Sequence, residues 1–173
     1  GLNRTVTING STSTVSGTII NTTTLDINSN TTLNGAVSAT TIDVSGTSNL
    51  GANVTTSGTQ TYTGAVTLST DVTLTTTDSN ITFNGTINSD GGTARALTIN
   101  LDGNSDGTTA DVIFGNATAD TVGATNPLGA ISITGDMDLN AAITNATSID
   151  VSGTSNLGAN VTTSGTQTYT GAT

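Results

Sequence analysis

Apolar side chains recur along this chain with one spacing. Ile42, Val44, Leu50 and Val54 are separated by two, six and four residues, and Leu25, Ile27, Leu33 and Val37 take the same steps seventeen residues earlier. Gln60, Tyr62, Leu68 and Val72 repeat them eighteen residues later. Near the far end, Ile131, Ile133, Leu139 and Ile143 are followed at eighteen residues by Ile149, Val151, Leu157 and Val161. A looser first unit uses Val6, Ile8, Val15 and Ile19. Between residues 81 and 131 only the apolar-x-apolar pair survives, at Ile81 and Phe83, Leu97 and Ile99, and Val112 and Phe114.

Such a pair, bounded by Gly, Asn and Asp, marks a short strand whose alternate side chains turn inward before a turn. One unit of about 18 residues cannot bury its own apolar face, but stacked units close a continuous core. The pattern therefore predicts an all-β fold, a parallel β-helix or β-solenoid. Coils are expected to start near residues 6, 25, 42, 60, 81, 97, 112, 131, 149 and 167. Residues 1–173 read as a single solenoid segment, with longer loops within residues 84–130. Thr7, Asp26, Asp43, Thr61, Thr82, Thr98, Ser132 and Asp150 are expected to form one outward column. A string of immunoglobulin-like sandwiches is the competing fold, but sandwich strands would not share one spacing from unit to unit.

A longer repeat lies over the short one. Residues 42–65, IDVSGTSNLGANVTTSGTQTYTGA, recur letter for letter at 149–172, an offset of 107 residues. On the coil starts above, this super-repeat equals six coils, about 29 Å at about 4.8 Å per layer. Identity this complete marks a recent duplication and suggests a slice of a longer repetitive polypeptide. Open strand edges at the ends of such a slice would make neighbouring repeats, or copies of the chain, its natural partners.

Composition narrows the chemistry. All twelve acidic residues are Asp, the only cations are Arg4 and Arg95, and the net charge is −10. With no His, Cys, Lys or Glu, the usual imidazole, thiolate and amine catalysts are missing, and no catalytic residue is assigned. The charge argues against a nucleic-acid partner, which requires clustered Lys and Arg. No apolar run reaches the ~18 residues of a membrane span, and no leader peptide is seen in the segment.

The motif closest to a site is Asp102-Gly103-Asn104-Ser105-Asp106-Gly107, which matches the first half of a calcium loop with oxygen ligands at alternate positions. Asp102, Asn104 and Asp106, closed by Asp111, are the candidate metal ligands; the other reading is a polar turn in a long loop. Ile113 stands where a bidentate Glu would be expected. No other cofactor is expected. Asp136, Asp138 and Asp150 could suggest paired carboxylates for glycoside chemistry. However, no aromatic platform accompanies them, and Tyr62 and Tyr169 read as core. Asn-x-Thr triplets at Asn30, Asn53 and Asn160 offer glycan acceptors. A Thr-rich solenoid also raises ice binding, through a column of Ser38, Thr55, Thr73, Thr144 and Thr162, although Ala36, Asn53, Asp71, Ala142 and Asn160 interrupt the rank beside it.

The units LDINSNTTLNGAVSATT and IDVSGTSNLGANVTTSG, followed by TQTYTGAVTLSTDVTL and SNITFNGTI, resemble the repeat region of filamentous haemagglutinin-like adhesins. These are repetitive bacterial exoproteins of the two-partner secretion or autotransporter type. The resemblance implies a right-handed parallel β-helix that serves as a non-enzymatic stalk, surface filament or matrix fibre, located outside the cell or on the bacterial surface. It implies host, surface or cell-envelope ligands as partners but transfers no binding residue. The alternative within the residues themselves is a calcium- or glycan-binding module that uses the loops of residues 84–130.

Overall fold

The computed structural model describes residues 4–117 and 119–173. Among them every regular element is a strand, and every strand pair within the sheet is parallel. The chain winds into a β-solenoid in which each layer contributes a short strand to each of three faces.

The first face stacks Val6, Leu25, Ile42, Gln60, Ile81, Val112, Met137 and Ser155 in consecutive layers. The second carries Leu33, Leu50, Leu68 and Ser89, and beside them the column Ser48, Val66, Ile87, Val122, Ile143 and Val161. The third carries Val37, Val54, Leu74, Ile99, Ile133, Val151 and Tyr169. Inward positions are buried, from Leu25 and Ile27 at one end to Ile149 and Val151 at the other, while of the outward residues Asp26 is half-buried and Asp43 exposed. This is the alternation that the apolar-x-apolar pairs predict.

The coil starts need correction. Leu97, Ile131, Ile149 and Gln167 do not continue the column of Ile42 and Gln60. Leu97 pairs with Val72 and Ile131, and Ile149 with Ile131 and Gln167, all on the third face. Ile81 pairs directly with Val112, and Phe83 with Phe114. Layers of 17 to 21 residues therefore enclose one layer of 31 residues from Ile81 to Val112 and one of 25 from Val112 to Met137. The outward column changes accordingly. After Thr82 it runs through Ile113, Asp138 and Asn156, whereas Thr98, Ser132 and Asp150 stand together on the third face. The extra residues fall in corners within residues 84–130.

At corners and at the starts of strands ladder bonding lapses, and backbone N–H groups need another acceptor. Side-chain oxygens from the preceding layer supply it. Asn30 Oδ1 accepts from Thr47 N at 3.0 Å, Asn53 Oδ1 from Thr73 N at 2.8 Å and Asp71 Oδ1 from Ala96 N at 2.9 Å. Asn80 Oδ1 does the same for Asp111 N, Asn88 Oδ1 for Thr125 N and Asp136 Oδ1 for Thr154 N. The abundance of Asn and Asp thus has a structural use: each of these side chains ties one layer to the next.

The core is mostly aliphatic, and in its middle a polar cluster adjoins an aromatic stack. Buried Gln60 donates through Nε2 to Thr75 O at 2.9 Å and accepts at Oε1 from the Tyr62 hydroxyl at 3.0 Å. Full burial pushes the Tyr62 phenol far above its ordinary value. Its ring stacks on Phe83 at 5.3 Å between centroids, and Phe83 stacks on Phe114 at 5.6 Å.

Candidate functional site

The acidic loop leaves the third face after Asn100. Leu101 is buried and donates from its N–H to Thr134 O at 2.9 Å, while its own carbonyl accepts from Asp78 N at 2.9 Å. Gly103 N donates to Thr76 O at 2.9 Å, and Thr77 and Asp102 form an isolated antiparallel bridge. These bonds fold the loop back over the 75–80 corner of the layer before it.

Within the loop, Asp102 Oδ1 accepts from Asp106 N at 3.0 Å and Oδ2 from Gly107 N at 3.1 Å. Ser105 and Gly107 both take positive φ, 62° and 95°. Asp102 therefore closes the turn with both of its oxygens. The fold adds a residue that local sequence does not point to. Carboxylate oxygens of Asp78, Asp102 and Asp106 lie within 4.8 Å of one another. Asn104, expected as an oxygen ligand, instead donates from Nδ2 to Asp78 Oδ2 at 3.0 Å. Asp111 is not in the group. It begins the strand Asp111–Phe114 and pairs with Asp136 in the next layer. Partial burial, and then the charges of Asp136 and Asp138, raise its carboxyl above the ordinary range.

The other carboxylates are divided between two faces. Asp136 and Asp138 lie on the first face and Asp150 on the third, where it pairs with Ser132 and Thr168. Asp138 accepts from Asn140 Nδ2 at 3.3 Å and from Asn156 Nδ2 at 3.0 Å. Tyr62 is fully buried, in agreement with the core reading. The loop at 90–95 is closed by an Asp90–Arg95 ion pair of 3.1 Å, and the guanidinium holds the Asp90 carboxyl below its usual range. Beside it, Ser89, Gly91, Asn126 and Pro127 line an open pocket of about 110 Å³ that no aromatic ring lines.

The expected threonine column is broken. Ser38 and Thr55 align, but Thr55 continues into Thr75 rather than Thr73. Thr144 and Thr162 follow Ile143 and Val161 on the second face. These hydroxyls form no single rank.

The fold defines the chain as a β-solenoid repeat protein. Compared with family models, curated proteins and solved structures, the chain has no match.

Proposed function

We propose that this chain is a segment of a stiff extracellular stalk, surface filament or matrix fibre of the filamentous haemagglutinin-like type, and that it is not an enzyme. The observation that carries the reading is continuity. Layer is tied to layer on all three faces, with the long corners of residues 84–130 absorbed without a break in pairing. A body held by axial hydrogen bonds and a continuous core resists bending, and its reach scales with the number of layers. The duplicated 24-residue segment supports lengthening by repeat addition. In cryo-electron micrographs, the native material is expected to form unbranched rods with a layer spacing near 4.8 Å, built on a polypeptide much longer than 173 residues. Compact particles of single-domain size would overturn the reading.

A second reading, calcium binding, rests on the group of Asp78, Asp102 and Asp106. Three close carboxylates repel one another, and a divalent cation would relieve that repulsion. An extracellular-type site with a dissociation constant of about 10⁻⁴ M would add about 2.7 kcal/mol at one hundred times that concentration of calcium. The expected result is a rise in Tm with calcium in the unsubstituted chain and none in Asp106→Asn. An unchanged Tm in the unsubstituted chain would leave Asp102 with a turn-closing role alone.

A further inference from the structure

Identical sequence does not occupy identical places in this solenoid. In the first copy, Ile42 and Val44 lie on the first face, Ser48 and Leu50 on the second, Val54 on the third, and Gln60 and Tyr62 on the first again. In the second copy, Ile149 and Val151 lie on the third face, Ser155 and Leu157 on the first, Val161 on the second, and Gln167 and Tyr169 on the third. Ser155, the counterpart of Ser48, thus stands in the column of Ile42. From Ile42 through Gln60, Ile81 and Val112 to Met137 is four turns, and Ile149 lies two faces further on. The 107-residue repeat therefore spans four and two-thirds turns rather than six coils.

The physical reason is that the faces are interchangeable. Each takes a tripeptide with inward, outward and inward side chains followed by a corner, and Ser-Asn-Leu, Val-Thr-Thr and Gln-Thr-Tyr all meet that pattern. Ser48 and Leu50 stack against Thr31 and Leu33 on one side, and Ser155 and Leu157 against Met137 and Leu139. The core accepts the same tripeptide on either face.

We propose that the super-repeat is rotary. Each further copy would present its insertion loops a third of a turn round the axis from the last, so that the acidic 102–107 loop and the 90–94 loop come to face all three sides of the filament. Successive copies of a loop would be about 22 Å apart along the axis, and three super-repeats would restore the starting face after fourteen turns. The continuation rests on the filament reading, whereas the offset between the two copies belongs to this chain. All-round display suits a fibre that meets surfaces or neighbouring fibres from any direction.

The chain has no cysteine, so paired substitutions report the offset directly. In-register neighbours about 4.8 Å apart lie within disulfide reach. Thr82→Cys with Ile113→Cys, and Thr98→Cys with Ser132→Cys, are expected to cross-link under mild oxidation, and Thr82→Cys with Thr98→Cys is not. All four sites face outward, and circular dichroism confirms that each variant is folded. Cross-linking of 82 to 98 with none of 82 to 113 would overturn the proposal by restoring six equal coils. On native rods, an antibody fragment against residues 102–107 is expected at steps of about 22 Å, each rotated by a third of a turn. A single straight row would overturn the rotary display. Absence of rods would instead overturn the filament reading and leave the cross-linking result intact.

Discussion

Phe83→Ala is expected to lower the stability of the fold by about 3–5 kcal/mol, measured as a shift of the urea midpoint. Phe83 has no exposed surface and sits between two rings, Tyr62 in the layer before and Phe114 in the layer after. Removing it empties the middle of a three-ring stack. The cost of such a cavity depends on how far its walls can collapse, and here they are held apart. Tyr62 is fixed by its hydroxyl bond to Gln60, which is itself anchored on Thr75 O. The backbone on both sides of Phe83 is paired, with Asn84 N on Tyr62 O at 2.9 Å and Gly115 N on Phe83 O at 2.7 Å. Little relaxation is open to them, so the loss belongs at the upper part of the range. Phe83→Leu, which keeps most of the volume, is expected to cost less than about 1.5 kcal/mol. A loss below about 1 kcal/mol for the alanine variant would mean that the stack is loosely packed and that layer spacing, not side-chain filling, sets the core.

The fold class was legible because its cause is local. A buried-exposed-buried tripeptide can be read from three residues, and Ile42-Asp43-Val44 or Ile149-Asp150-Val151 announce themselves. Which face a tripeptide joins was not legible, because nothing in Ile149-Asp150-Val151 differs from Ile42-Asp43-Val44. The face is set by the lengths of all the corners in between, above all those of the 31-residue and 25-residue layers. A finer period was available. Ser48 to Leu50, Val54 to Thr56, Gln60 to Tyr62 and Val66 to Leu68 start six residues apart, so an 18-residue coil is three units, and a pair such as Leu97 and Ile99 need not open a new coil. The candidate site divides in the same way. Asp102 and Asp106 share one loop, and the loop could be read. Asp78 joins them only because the loop folds back across a layer boundary, and Asp111 leaves because Asn80 of the neighbouring layer caps its N–H as the first residue of a strand.

The layers also meet without side chains between them, and Gly64→Ala tests this. Gly46, Gly64 and Gly85 stack at the corner between the first and second faces. A Cβ at Gly64 would lie 2.6 Å from the carbonyl oxygen of Gly46, 2.7 Å from its carbon and 2.8 Å from Thr47 N. All three are backbone atoms, so no side chain can rotate away. The backbone is pinned on both sides of this corner, by Thr63 N on Val44 O at 2.8 Å and by Ser48 N on Ala65 O at 2.9 Å. Relief therefore requires prising two layers apart, and a loss of about 1–3 kcal/mol is expected for one added methyl group. Gly17 provides the comparison, because a Cβ there meets nothing within 4 Å. Gly17→Ala is expected to leave stability unchanged, or to raise it by up to about 1 kcal/mol through a less flexible unfolded chain. Equal effects at the two positions would mean that the corner column tolerates side chains and that its glycines reflect chain flexibility alone. A loss at Gly64 with none at Gly17 would identify backbone-to-backbone contact as a condition of stacking, one that any further layer of the same repeat must also meet.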